Sequence, residues 1–124
     1  MPEHKSVLFI GLDPAVVDYA RWPGLTEEKL RSALEADRAA LADAGYDVAI
    51  CFIDRGETAE SAIADALSRK RYDAVMIGAG VRKDDEHFLL FEKAINAVHR
   101  GAPDARICFN TGPFDSADAV RRWI

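Results

Sequence analysis

The chain has 124 residues, 49% of them hydrophobic and 30% charged, the composition of one globular domain that buries about two-thirds of its unfolded surface without metal or disulfide staples. A net charge of −5 and a pI near 5.1, with the cations scattered, argue against non-specific nucleic-acid or anionic-membrane binding, which needs basic patches. No stretch approaches the ~18 apolar residues of a membrane span, and the opening apolar run is too short for a secretory signal, so the protein is read as cytoplasmic.

Residues 6–10, SVLFI, form the first predicted strand, which leaves at Gly11, Leu12, Asp13 and Pro14. The next connection, through Val16, Val17, Tyr19, Trp22 and Gly24, exceeds the usual two to six residues of a strand-to-helix loop and has room for a helical turn. Its apolar side chains are expected as a lid, as a contact surface, or folded back onto the core. Thr26 is the expected N-cap of the first helix, with Glu27 and Glu28 in its first turn. Leu30, Leu34 and Leu41, with Ala33, Ala40 and Ala44, make its apolar stripe, and Gly45 stops it.

Residues 46–53 are the second strand, ending in Asp54-Arg55-Gly56. The second helix is predicted over 57–71, with Ala59, Ile63, Ala66 and Leu67 inward and Arg69-Lys70-Arg71 as a solvated last turn. Residues 72–82, YDAVMIGAGVR, organise the rest. Their unbroken apolar run reads as a strand buried on both faces, and Gly78-Ala79-Gly80 lets the backbone turn or approach a ligand at its exit. Asp84, Asp85 and Glu86 load the start of a third helix, whose predicted buried face is Phe88, Phe91, Ile95 and Val98 and whose end is Gly101. Residues 105–109 are the fourth strand, leaving at Asn110-Thr111-Gly112-Pro113. Asp115 and Asp118 resemble a capping box for a short last helix. Cys51 and Cys108 lie mid-strand, where small core residues are expected rather than a disulfide.

Strands alternating with helices imply right-handed crossovers and a parallel sheet covered on both faces. The prediction is therefore a single α/β domain over 1–124, a three-layer α/β/α sandwich with a four-stranded parallel sheet, flavodoxin-like or Rossmann-like. A 2-1-3-4 order places the crevice between strands one and three, a 3-2-1-4 order between one and four. In either, strand exits and helix starts share one edge, and ligands bind there. The candidate ligand-binding residues on that edge are Gly11, Asp13, Asp54, Gly78, Gly80, Arg82, Asn110 and Thr111, with Arg55 nearby. Arg82 beside glycine N–H groups is the natural fork for a carboxylate or phosphate, unless Asp84, Asp85 or Glu86 pairs with it. Asp13 and Asp54 are either joint oxygen ligands for a divalent cation or, the commoner use, turn and cap residues, and no metal is assigned. His87 is placed on the same edge as an acid or base, and His99 on the opposite one. A Gly-x-Ser-x-Gly elbow, a dinucleotide Gly-x-Gly-x-x-Gly, a Walker sequence and metal-site Cys/His spacing are all missing.

The run Arg71-Tyr72-Asp73-Ala74-Val75-Met76-Ile77 resembles the third strand of response-regulator receiver domains, and residues 103–111 are similar to the receiver strand that ends in Thr or Ser. The resemblance implies a receiver-like shape without phosphotransfer. Gly78 stands where receivers carry the phosphoacceptor aspartate, only Asp13 remains of the acidic pair, and no fifth strand supplies a lysine. Residues 95–111 also look like small uncharacterised bacterial α/β proteins. Three functions follow as expectations. The first is a non-catalytic module binding a small anionic ligand on the strand-exit edge. The second is a receiver-like interaction domain that homodimerises through the uncharged edge Ile107-Cys108-Phe109 or the last helix. The third is a small enzyme using Asp13, Asp54, Arg82 and His87, and no cofactor is named for any of them.

Overall fold

Four apolar runs become four parallel strands because each of the first three is followed by a helical crossover that returns the chain to the far end of the sheet. The structure is a computed structural model and describes residues 4–124. β1 spans Ser6–Leu12, β2 Asp47–Ile53, β3 Ala74–Ile77 and β4 Arg106–Phe109. They pair in the order β2-β1-β3-β4, all parallel, so the flavodoxin-like order is the one found. α1 spans Glu27–Asp43, α2 Ala59–Arg69, α3 Ala79–Arg82, α4 Phe88–Gly101 and α5 Ser116–Arg121.

The pleat sends alternate side chains to two cores. Val7, Phe9, Met76 and Cys108 face Leu41 of α1 and Val120 of α5. Leu8, Ile10, Val75 and Ile77 face Ile63 and Leu67 of α2 and Leu90, Ala94 and Val98 of α4. The three-layer sandwich is thus as expected. Cys51 and Cys108 are free, buried and on opposite faces of the sheet, and burial pushes the Cys108 thiol up to about 11. Thr26 Oγ1 accepts the Lys29 N–H at 3.1 Å and caps α1, while Gly45 leaves that helix at a φ of 98° that favours glycine.

Three local expectations are corrected. β1 continues two residues further, pairing Gly11 with Phe52 and Leu12 with Ile53, so Gly11 is a strand residue rather than part of the exit. The third helix does not open at Asp84. The chain forms the single turn α3 straight after Gly78, then a 3-10 turn over Asp85–His87, then α4. Phe88 leaves the predicted buried face of α4 and is 69% exposed, whereas Val98 is buried as expected, Phe91 and Ile95 are half-buried against the core, and Leu90 and Ala94 complete the face. Asp115 does not cap α5 through its side chain. Its oxygens instead accept Thr111 N–H at 2.9 Å, Thr111 Oγ1 at 2.7 Å and Gly112 N–H at 3.3 Å, which ties down the loop after β4.

Candidate functional site

β1 and β3 are neighbours whose following helices, α1 and α4, pack on opposite faces of the sheet. Their carboxyl ends therefore open a crevice, as at any switch in winding direction. A cavity of about 260 Å³ lies there, and a second of about 70 Å³ continues toward the sheet. Leu12, Val17, Leu30, Ala79, Gly80 and Pro113 line both. The outer cavity adds Trp22 and Leu25 as apolar wall and, as polar wall, the cations Arg21, Arg55 and Lys83, the acids Asp18, Asp84 and Glu86, and His87 and Thr111. The inner one reaches Phe9, Gly11, Gly78 and Asn110.

The connection over residues 13–25 forms a strap across this crevice. Its two 3-10 turns are capped by Asp13, which accepts Ala15 N–H at 2.9 Å, and Asp18, which accepts Ala20 N–H at 3.2 Å. Tyr19 Oη donates to Pro14 O at 2.6 Å, and Arg55 Nε to Val16 O at 2.7 Å. Arg21 anchors the middle, donating from Nη1 to both oxygens of Asp84 at 3.0 Å and reaching Glu86 at 2.9 Å. The Glu86 N–H, then the Arg21 and His87 charges, hold the Asp84 carboxyl below its usual range against desolvation. Of the three expectations for this segment, the lid geometry describes Trp22, which is 46% exposed yet walls the cavity, while Val16 and Val17 pack on the core.

The residues named from sequence divide. Gly11, Gly78 and Asn110 meet at the inner cavity, Thr111 lines the outer one and Gly80 both. Asp13 and Asp54 line neither. Asp13 caps its turn and lies 3.6 Å from Arg31, and Asp54 accepts Gly56 N–H at 3.0 Å and Thr58 Oγ1 at 2.6 Å ahead of α2. Among the described residues, no three His, Cys, Asp or Glu side chains gather as a metal-holding group. Arg82 is also corrected. It ends α3 instead of opening a helix, donates from Nη2 to Asn110 O, and stacks 5.4 Å over the Phe109 ring, away from the cavity. Lys83, one residue on, takes the cavity wall and donates to Thr111 O. His87 sets its Nδ1 3.1 Å from Gly80 O, and since a carbonyl only accepts, Nδ1 is the donor in that contact.

A buried polar chain supports the inner cavity. Asn110 Oδ1 accepts Ala79 N–H at 2.8 Å, Asn110 Nδ2 donates to Ser116 Oγ at 2.9 Å, and Ser116 Oγ donates to Asp37. Asp37 is only 3% exposed and was missed from sequence. Its signal was legible, for an acid stands among Leu30, Leu34 and Leu41 on the apolar stripe of α1. Burial raises the Asp37 pKa above the ordinary 3.8, opposed by the Ser116 hydroxyl and N–H. A raised folded-state pKa gives stability that is fully present below 3.8 and lost as pH rises through the raised value. Asp37→Asn keeps an acceptor for Ser116 and cannot ionise. In chemical unfolding at several pH values, the wild type should gain stability relative to the variant as pH falls toward 3.8, the other carboxyls cancelling in the difference. A difference that does not change with pH would show that Asp37 titrates alike folded and unfolded. No family model matches the chain and no curated protein does, so the residues of the site carry no role by likeness.

Proposed function

We propose that the chain is a binding module for a small organic anion, held with its apolar body in the crevice between β1 and β3 and its charge toward Lys83 and Arg55. One observation carries this reading. A strapped, largely apolar cavity sits at the strand exits, and two of its three wall cations hydrogen-bond main-chain carbonyls, Lys83 to Thr111 and Arg55 to Val16. Arg21, by contrast, is neutralised by Asp84 and Glu86. A volume of about 260 Å³ falls just below the ~300–1,000 Å³ of drug-sized sites, so a one-ring or short-chain ligand fits and a dinucleotide does not. A second reading, an enzyme with His87 as acid or base, has the His87 imidazole on the cavity wall in its favour. Turnover that is lost in His87→Gln would support it.

Gly80 supplies the test. It lies in α3 without a positive φ, and a Cβ there would rest 3.8 Å from Leu12 Cβ, an ordinary contact. Gly80→Ala should therefore stabilise the fold by about 0.5–1 kcal/mol, and Gly80→Leu should extend into the cavity. Thermal unfolding against small carboxylates, phosphates and nucleotides should find a compound that adds about 2.7 kcal/mol at a hundredfold its Kd. The gain should vanish in Gly80→Leu while the variant stays folded. A gain that persists in Gly80→Leu puts the ligand elsewhere and overturns the proposal, and a panel that moves neither protein removes the small-anion class.

A further inference from the structure

We propose that the outer edge of β4 docks an acidic peptide segment in extended conformation, added as a fifth strand, with one side chain in the groove between Arg82, Phe91 and Phe109. β4 is last in the sheet, and among the described residues no segment pairs with its outer edge. Arg106 N–H donates to Asp73 O on the β3 side, so the alternation of a parallel ladder turns the N–H and C=O of Ile107 and Phe109 outward. Phe109 O accepts from Arg122 Nη2 at 3.0 Å, and the other outward groups face the open edge. A strand this short offers few main-chain bonds, so side-chain contacts must supply the specificity.

Those contacts are present at the same edge. Ile107 and Phe109 are half-buried beside Phe91 and Ile95 of α4, and the Phe91 and Phe109 rings meet edge-to-face at 5.8 Å. Next to them an open groove of about 510 Å³ is lined by Arg82, Phe91, Phe109 and Thr111. The Arg82 guanidinium stacks on Phe109, and its buried Nε has no acceptor. Charge selects the occupant. Arg106 stands exposed at the start of the strand, and Arg82 and Arg122 bind carbonyls at its end. Among the described residues none of the three has an ion-pair partner. Of the acids adjoining the strand, Asp104 lies two residues before it and Asp115 is engaged by Thr111 and Gly112. Antiparallel pairing of two copies would set Arg106 of each against the Arg82 and Arg122 end of the other, whereas an acidic strand meets cations at both ends. Arg82 faces this groove and not the strapped cavity, so the two sites stand or fall separately.

Fluorescence polarisation tests the docking with a labelled hexapeptide of alternating Glu and Val carrying a central Phe, against the same peptide with Lys for Glu. The acidic peptide should bind and the basic one should not, and Arg106→Glu should weaken the acidic peptide roughly tenfold. Ile107→Pro removes an outward N–H that the β3 ladder does not use, so it should abolish binding. An N-methylated acidic peptide removes the same pairing from the other side should that variant fail to fold, and it too should not bind. Equal binding of acidic and basic peptides, no binding at millimolar concentration, or indifference to Arg106→Glu would overturn the proposal. So would a dimer in sedimentation that Ile107→Pro dissociates, which would give the edge to a second copy.

Discussion

Asn110→Ala is expected to lower the thermal midpoint by roughly 10 °C, the largest loss from any single exchange at the site. Asn110 is 2% exposed and serves two partners at once, accepting from Ala79 N–H and donating to Ser116 Oγ. Alanine leaves the Ala79 N–H without an acceptor in a buried region, at about 1–3 kcal/mol, takes from Ser116 Oγ the donor it accepts while its bond to Asp37 remains, and opens space beside Gly78. A total of about 3 kcal/mol then sets the shift for a domain of this size. Asn110→Asp separates the two bonds. It keeps an oxygen for Ala79 but sets a second carboxyl against Ser116, whose single hydroxyl proton already goes to Asp37. That variant should be least stable above the raised Asp37 pKa, where both acids ionise, and recover as pH falls. Calorimetry across pH checks both variants. A midpoint lowered by under about 2 °C in Asn110→Ala would mean that water replaces the amide without loss.

Gly78→Ala is expected to destabilise by about 1–3 kcal/mol, opposite in sign to Gly80→Ala two residues later. Gly78 has φ −68° and ψ 154°, which any residue adopts, so conformational strain is not the cause. The cause is contact, for a Cβ there would sit 3.3 Å from Ile10 O and 3.4 Å from Phe9 Cζ. Ile10 O belongs to the central strand and accepts Gly78 N–H at 2.8 Å, so it cannot yield without disturbing the junction of β1 with β3. The gain of ~0.4–1 kcal/mol from stiffening the unfolded chain offsets only part of this. Denaturant midpoints of the two single variants decide the matter. If both rise, Phe9 relaxes freely and Gly78 is no closer to its neighbours than Gly80.

Much of the architecture was legible because its causes are local. The run AVMI without alternation announces a strand covered on both faces, and Thr26 and Gly45 mark the ends of α1 by cap chemistry alone. The edge on which Gly78, Gly80, Asn110 and Thr111 gather followed too, since a parallel sheet puts every strand exit on one side. Arg82 was misplaced because residues 79–82 were read as a glycine loop. Once they form a helical turn at about 100° per residue, Ala79, Gly80 and Lys83 share one side and Arg82 turns toward β4. Asp37 stood visible as an acid on an apolar stripe, but its partner Ser116 lies 79 positions away and nothing in the spacing pairs them.

The sequence by itself determined the four strands, four of the five helices, the parallel arrangement and the edge that carries the candidate site, because periodicity, caps and short connections act over a few residues. Only the tertiary structure decided the order β2-β1-β3-β4, the strap anchored by Arg21 on Asp84, and the chain from Asp37 through Ser116 to Asn110. Both strand orders bury the same apolar faces, so the choice between them rests on which helices meet across each face of the sheet. That is a long-range packing outcome which no window of adjacent residues contains.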